Sequence, residues 1–185
     1  VKLSKECGVV GPNSRCVVAF SLYGNDERYT GGVLANARAL HPVYGNGILS
    51  PLWRMRVYHN GSSPEMITQA LEHLGVELVF VDSALSNGQL RNARTWRFLV
   101  ASDPKVERYL LRDVDSRIGT REAAALMQWV DSDEPFHVMI DHPSHVKFAQ
   151  SGFWMQAGMW GGTKGALPEM RAFLEEFIDR NDSSA

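Results

Sequence analysis

The stretch Tyr109-Leu110-Leu111-Arg112-Asp113-Val114-Asp115-Ser116-Arg117 carries most of the information about the architecture of this chain. An apolar run that ends in acidic residues is typical of a buried strand of a parallel sheet. Ligands of such sheets bind beyond the carboxyl ends of the strands. Two carboxylates at that position, with arginines on either side, suit a divalent cation and a diphosphate. The stretch therefore predicts an α/β fold with a metal-diphosphate site at Asp113 and Asp115.

The Asp-x-Asp pattern is weak evidence without its context. A chain with this many aspartates holds about 0.5 matches by chance, and this chain has a second copy, Asp131-Ser132-Asp133. The second copy follows the helical pattern of residues 121–130, which predicts a solvated helix end. Only the first copy follows an apolar strand and has basic neighbours. A solvated strand end stays the alternative for Asp113 and Asp115.

Composition bounds the size of the fold and its partners. The 185 residues are 44% hydrophobic, enough to bury a core, and the length suits one domain. With 19 basic and 21 acidic residues the net charge is −2, so no basic surface for nucleic acid is implied. The apolar runs are too short for a membrane span, and the N-terminus has no signal-peptide pattern. We expect a single cytoplasmic domain over residues 1–185 that binds a small phosphorylated ligand.

The cysteine content points to a reducing compartment. Cys7 and Cys16 are the only cysteines in the chain. Their number and spacing fit neither a metal-binding pair nor a disulfide-rich secreted scaffold. We therefore expect two free thiols.

Strand and helix patterns alternate along the chain. The predicted strands cover about residues 16–23, 55–58, 76–81, 109–111 and 136–140, and the predicted helices about 31–40, 64–74, 90–100, 120–130 and 167–179. Pro42 is expected to end the first helix, and Ser63 to cap the second. Gly158-Met159-Trp160-Gly161-Gly162 is interpreted as a glycine-rich segment. The alternation implies one α/β domain with a mixed, mainly parallel central sheet flanked by helices.

Polar side chains follow three of the predicted strands. Tyr23, Asp115 and Asp141 each come directly after a strand or within the turn that follows it. Because the carboxyl ends of parallel strands lie at one edge of a sheet, we expect these segments to meet in one cleft.

Six motifs occur in a characteristic order and spacing: Phe20-Ser21-Leu22-Tyr23-Gly24, Trp96-Arg97-Phe98-Leu99, Arg112-Asp113-Val114-Asp115-Ser116-Arg117 with Arg121-Glu122, Phe136-His137-Val138-Met139, Asp141-His142-Pro143 and Gly158-Met159-Trp160-Gly161. Together they resemble a small group of glycosyltransferases found in large algal viruses and in bacterial polysaccharide clusters. The resemblance covers about residues 16–165. Ile140 departs from it, because members of the group often have a basic residue before Asp-His-Pro.

The resemblance implies a GT-A fold with a Rossmann-like nucleotide-binding half over about residues 16–115 and an acceptor half over about 116–180. It implies a metal-dependent transferase that moves a sugar from a nucleotide diphosphate donor, preferably a UDP-sugar, to a glycan or glycoprotein acceptor. Retention of configuration is favoured. A phosphatase that uses Asp-x-Asp and a non-catalytic sugar-nucleotide or glycan-binding domain are the alternatives.

Roles at the metal and the reacting centre follow from the same resemblance. Asp113 and Asp115 would hold Mn²⁺ or Mg²⁺, with Asp115 the more direct ligand and Asp113 near the ribose or an arginine. His142 could be a further ligand or contact a sugar hydroxyl. Asp141, Arg117 and His142 are the catalytic candidates, with Asp141 a base or a sugar contact. A turn-forming aspartate and a surface histidine are the alternatives for Asp141 and His142.

The remaining candidates would bind the donor. The base and ribose would lie against Phe20, Ser21, Leu22, Tyr23 and Gly24. Arg94, Arg97 and Lys164 could bind phosphate, although each could equally be a solvated surface charge. Trp160, beside Gly161 and Gly162, could stack on a sugar with its indole exposed, or be a buried aromatic.

Overall fold

The computed structural model describes residues 15–44, 53–82, 92–140, 143–152 and 155–182. Its strands are β1 (Arg15–Leu22), β2 (Trp53–His59), β3 (Glu77–Phe80), β4 (Val106–Arg112), β5 (Phe136–Val138) and β6 (Met159–Thr163). They form one sheet in the order β3-β2-β1-β4-β6-β5. Strands β1 to β4 pair with one another in parallel, whereas β6 is antiparallel to both β4 and β5. The predicted α/β fold with a mixed, mainly parallel sheet is confirmed.

Helices cover both faces of this sheet. They are α1 (Glu27–Tyr44), α2 (Glu65–His73), the 3₁₀ helix Ala93–Ser102, α3 (Thr120–Val130), α4 (Pro143–Gln150) and α5 (Met170–Asp182). Side chains of β1 alternate between the two faces, as the pleat requires. Val18 and Phe20 pack in the core with α1, α2 and α3, and Val17 and Ala19 pack against the 3₁₀ helix. None of the described helices is long and apolar enough to cross a membrane.

One predicted helix end and one predicted helix cap are wrong. Helix α1 continues past Pro42 to Tyr44, since a proline in the last turn removes only one hydrogen bond of a helix that is held elsewhere by packing. Ser63 does not cap α2. Its hydroxyl donates instead to the carbonyl of Gly24 at 2.8 Å, because a contact 39 residues away in sequence replaced the local one.

The glycine-rich segment forms strand β6, which the sequence pattern did not predict. A Cβ on Gly161 would overlap the backbone of Tyr109, and one on Gly162 would overlap the phenol ring of the same residue. The glycines therefore let β6 pair closely with β4, where Gly162 is the register partner of Tyr109. A strand of this composition lacks the β-branched residues by which strands are recognised.

The prediction of free thiols is wrong for Cys16. Cys16 is disulfide-bonded and is 1% exposed in the core on one face of β1. Cys7 lies outside the described residues. The argument for a reducing compartment rested on free thiols, so it no longer supports a cytoplasmic location.

The topology places a crevice between two central strands. From β1 the chain passes through α1 to β2, which lies on one side of β1. Strand β4 lies on the other side, so the strand order reverses between β1 and β4. Connections that diverge in this way leave an opening beyond the carboxyl ends of the two strands. The residues after Leu22 and after Arg112 border this opening.

Candidate functional site

A cavity of about 370 Å³ lies at this opening. Strand β1 and the residue after it contribute Ser21 and Tyr23, and the turn after β4 contributes Asp113 and Asp115. The 3₁₀ helix contributes the basic side chains of Arg94 and Arg97, and α1 contributes Tyr29. Residues from β1, the 3₁₀ helix and the turn after β4 thus meet in one cavity.

Arg97 connects the elements around this cavity. The residue is 6% exposed, and its Nη1 lies 2.5 Å from Oδ1 of Asp113 and donates to the carbonyl of Arg112 at 3.0 Å. Its backbone N–H donates to Oγ of Ser21 at 3.0 Å. Because a buried guanidinium needs partners, Arg97 holds Asp113 in one orientation at the cavity wall.

The other carboxylate oxygen of Asp113 faces Gly158. A Cβ on Gly158 would overlap Oδ2 of Asp113. The carbonyl of Gly158 accepts a hydrogen bond from Nη1 of Arg112 at 3.1 Å, and Arg112 also forms a buried ion pair with Glu122 at 3.0 Å. Arg112 therefore supports the loop before β6 rather than facing the cavity, although the sequence suggested a phosphate contact.

Asp115 pairs with a basic residue of α1. Its Oδ2 lies 2.6 Å from Nη2 of Arg28, and the side chains are 27% and 69% exposed, respectively. An ion pair this exposed contributes about 0–1 kcal/mol. The carboxylate of Asp115 is therefore open to competition from a cation.

The acidic turn, Asp113 to Ser116 after β4, packs on a stripe of helix α1. The stripe consists of Arg28, Gly32 and Asn36, at a spacing of four residues. A Cβ on Gly32 would overlap the carbonyl of Val114. Asn36 is 0% exposed; its Nδ2 donates to the carbonyls of Val114 at 3.2 Å and Ser116 at 2.8 Å. Its Oδ1 accepts the N–H of Ile118 at 3.1 Å. Sequence analysis missed this stripe, although two adjacent glycines in a helix are a signal of close packing.

A second cavity of about 390 Å³ adjoins the first and shares Tyr23 and Arg94 with it. Gly24, at φ 72°, turns the chain after β1. Its N–H donates to Oγ of Ser62 at 2.8 Å. Trp96 forms part of the wall, with its indole edge-on to Tyr23 at a centroid distance of 6.1 Å. A hydrogen bond from Arg94 to Tyr23, together with the charge interaction between them, raises the pKa of Arg94.

Six predicted donor-binding residues have no side chain in either cavity. Phe20 and Leu22 are 0% and 1% exposed in the core. The expectation of an exposed indole at Trp160 is wrong, because Trp160 is 6% exposed and packs against Phe98, Tyr109 and Phe136. The other three are Gly161 and Gly162, which pair with β4, and Lys164.

Lys164 lies at the end of the strands opposite to Asp113. Its Nζ is 3.1 Å from Oε1 of Glu107 at the start of β4, whereas Asp113 follows the end of that strand. Arg117 folds against its own turn and donates to the carbonyl of Val114 at 3.2 Å. Neither side chain lines the cavity that holds Asp113.

Asp141 and His142 lie outside the described residues. Their predicted roles stay predictions. In the second Asp-x-Asp copy, Asp131 and Asp133 are exposed at the end of α3, as the helical pattern indicated.

The acidic turn suits a cation that is shared with a ligand. Within the described ranges, no cluster of three acidic, histidine or cysteine side chains could hold a metal ion by itself. Asp113 and Asp115 bring two carboxylates to one cavity with two arginines. Mg²⁺ is commonly bound in this manner, through one or two carboxylates and the phosphates of the substrate. The residues present therefore fit a divalent cation bound together with a diphosphate.

A larger cavity of about 590 Å³ lies along β2 and β3. Arg56 in its wall is buried, and its guanidinium pairs with Glu77 at 3.0 Å and with Asp103 at 2.8 Å. Burial raises the pKa of Tyr58, which also bonds Arg56. These charges satisfy one another, so they stabilise the packing of the 3₁₀ helix on the sheet.

Comparison with known proteins gives one finding about the fold. The crystal structure of mouse xyloside xylosyltransferase 1 in its apo form matches this structure with a TM-score of 0.52 at 12% sequence identity, and the match covers 92% of this chain and 74% of that chain. No protein-family model matches the chain. No curated protein matches it at a significant level. The chain therefore has a glycosyltransferase-like fold, as the sequence resemblance predicted.

Proposed function

We propose that this protein is a metal-dependent glycosyltransferase that uses a nucleotide diphosphate sugar as its donor. The observation that carries the proposal is the position of Asp113 and Asp115. They lie in one cavity with Arg94 and Arg97, at the point where the strand order of the sheet reverses. Carboxylates for a cation and guanidinium groups for phosphate are the groups that a diphosphate requires.

The residues in and around the cavity have different roles in binding the donor. Arg97 bonds Asp113 through its guanidinium and Ser21 through its backbone N–H, so it joins the acidic turn to β1. Arg94 is exposed and bonds Tyr23, and it can reach a phosphate oxygen from the cavity wall. The side chain of Asn36 keeps the acidic turn in place by hydrogen bonds to the backbone carbonyls of the turn. Preorganised charges of this kind stabilise a group as charge develops on it.

Mn²⁺ or Mg²⁺ would be held by Asp115 and Asp113 and would supply positive charge that stabilises the departing diphosphate. Asp115 is the more direct ligand, because its partner Arg28 is exposed, whereas Asp113 is tied to the buried Arg97.

Finer features of the proposal come from the sequence resemblance. We propose that the chain is related to the glycosyltransferases of large algal viruses and bacterial polysaccharide clusters, and that its donor is a UDP-sugar. Residues 16–115 would then bind the donor and residues 116–180 the glycan or glycoprotein acceptor. Asp141 and His142 would act at the reacting centre, with retention of configuration.

The proposal is tested by hydrolysis of a panel of UDP-, GDP- and dTDP-sugars with Mn²⁺ and with EDTA. We expect release of UDP that requires the cation. Titration of the parent protein with UDP by calorimetry, with and without Mn²⁺, separates binding from turnover. Equal affinity under the two conditions would contradict a metal-diphosphate site, and cation-dependent binding without turnover would favour a non-catalytic sugar-nucleotide-binding domain.

A further inference from the structure

The two aspartates of the acidic turn are held in different ways. Asp113 pairs with Arg97, which is buried and also donates to the carbonyl of Arg112. Asp115 pairs with Arg28 of α1, and no other ion pair of either residue occurs within the described ranges. The Arg28 side chain is exposed to solvent. The pair of Arg97 and Asp113 therefore belongs to the framework of the site, whereas the pair of Arg28 and Asp115 can open.

Arg28 lies at the rim of the cavity that holds the acidic turn. Its guanidinium carbon is 5.8 Å from the ring centre of Tyr29, and both Tyr29 and Asp115 line that cavity. The backbone of Arg28 is fixed, because its N–H donates to Oδ1 of Asp26 at 2.8 Å at the start of α1. A fixed backbone with a long, exposed side chain lets the guanidinium change its partner without movement of the helix.

The charges at the cavity favour a cation and a diphosphate together over a cation alone. The lining contains Arg94, Arg97, Asp113 and Asp115, and Arg28 adds a third guanidinium to these two carboxylates. A cation bound alone would add to the positive excess and would take Asp115 away from Arg28. A diphosphate bound with the cation supplies the negative charge that a released guanidinium needs.

We propose that Arg28 couples the binding of the cation to the binding of the nucleotide. In the free protein it neutralises Asp115, which weakens the binding of a cation by itself. In the loaded site Asp115 holds the cation, and Arg28 pairs with the diphosphate of the donor. This inference rests on the proposed function, and it adds a donor-binding residue from α1 that is not in the lining of the cavity.

The two contacts of Arg28 predict effects of opposite sign. An exposed ion pair changes an equilibrium by at most about fivefold, whereas a charge-assisted hydrogen bond to phosphate contributes about tenfold or more. Loss of the guanidinium should therefore strengthen binding of the cation alone and weaken binding of the nucleotide with the cation. Loss of a residue with a purely structural role would weaken both.

The first test is the ratio of the affinity for UDP at saturating Mn²⁺ to the affinity for UDP in EDTA, measured by calorimetry on the full chain. This ratio measures the coupling, and effects of a lost charge on all nucleotide binding cancel in it. R38Q is the matched control for R28Q, since Arg38 is an exposed residue of the same helix and lines none of the described cavities.

We expect the ratio to fall at least about fivefold in R28Q and to match the parent in R38Q. An unchanged ratio in R28Q, or an equal fall in R38Q, would overturn the inference and leave the metal-diphosphate site in place. A ratio of one in the parent would instead contradict the proposed function itself.

The second test measures the counter-ion role without nucleotide. Electron paramagnetic resonance of free Mn²⁺, in titrations with protein, gives the affinity for the cation alone. We expect R28Q to bind Mn²⁺ about two- to fivefold more tightly than the parent, and R38Q to bind it as the parent does. Equal or weaker binding in R28Q would show that Arg28 does not compete with the cation for Asp115, and the inference would be wrong.

Discussion

Gly158 lies directly against the carboxylate of Asp113, so close that a Cβ on the glycine would overlap Oδ2. The other oxygen of the same carboxylate is held by Arg97. The orientation of Asp113 is therefore set from two sides, by a buried cation and by the absence of a side chain.

Gly158→Ala should displace Asp113 and weaken binding of UDP in the presence of Mn²⁺ by about tenfold or more, which corresponds to about 1.4 kcal/mol. Calorimetry on the folded variant measures the change. Gly119→Ala is the control, because a Cβ there would have no neighbour within 4 Å. Parent-like affinity in Gly158→Ala would show that the position of Asp113 does not matter for the ligand.

The adjacent glycines of α1 should respond in opposite directions. Gly31→Ala should raise the free energy of unfolding by about 0.5–1 kcal/mol, because alanine is the better helix former and its Cβ meets nothing within 4 Å. Gly32→Ala should lower it by about 1–3 kcal/mol, because its Cβ would overlap the carbonyl of Val114. Urea unfolding measures both values, and a stabilising Gly32→Ala would mean that the acidic turn is not packed on α1.

The two Asp-x-Asp copies provide an internal comparison. In Asp115→Ala, the affinity for UDP should become the same with and without Mn²⁺, because the main carboxylate ligand is gone. Asp131→Ala and Asp133→Ala should keep the metal dependence of the parent, since both residues are exposed at the end of α3. Calorimetry with Mn²⁺ and with EDTA distinguishes them. Loss of metal dependence in Asp131→Ala or Asp133→Ala would show that the metal site lies at the second copy of the motif.

Trp160 should behave as a core residue. Trp160→Ala is expected to lower the free energy of unfolding by about 3–5 kcal/mol, as for other large buried aromatics, because it packs with Phe98 and Tyr109 at ring distances of 6.1 Å and 6.0 Å. Met66→Ala, at a residue 71% exposed, should change stability by less than about 0.5 kcal/mol. A variant of Trp160 with parent stability and altered sugar recognition would restore the sugar-stacking hypothesis.

Acid should destabilise the protein in part through His137. Burial and then the positive charge of Arg112 lower the pKa of this histidine below its usual 6.5. The unfolded chain therefore binds a proton that the folded chain does not, so stability is full above about pH 6.5 and is lost as pH falls toward the folded pKa. Urea unfolding at about pH 7.5 and about pH 5.5 should show a smaller loss in His137→Gln than in the parent. An equal loss would assign the acid sensitivity to other groups.

Local pattern was enough for the elements whose signal is contained in a few neighbouring residues. The apolar run before Asp113 predicted β4 and the acidic turn, because burial of a strand and exposure of its end are both encoded in that stretch. The second helix was predicted to end at about residue 74, and the next residue, Gly75, has a φ of 73°, a conformation that favours glycine. The alternation of such elements was sufficient for the α/β class.

Contacts between distant segments settled the composition of the site. Asn36 is 78 residues from Val114 and Gly158 is 46 from Arg112, and no local pattern relates either pair. Trp160 looked exposed beside glycines, yet those glycines let β6 pack on Tyr109 and bury the indole. Secondary structure forms from hydrogen bonds and periodicity within a segment, whereas a ligand cavity depends on which segments the packed sheet brings side by side.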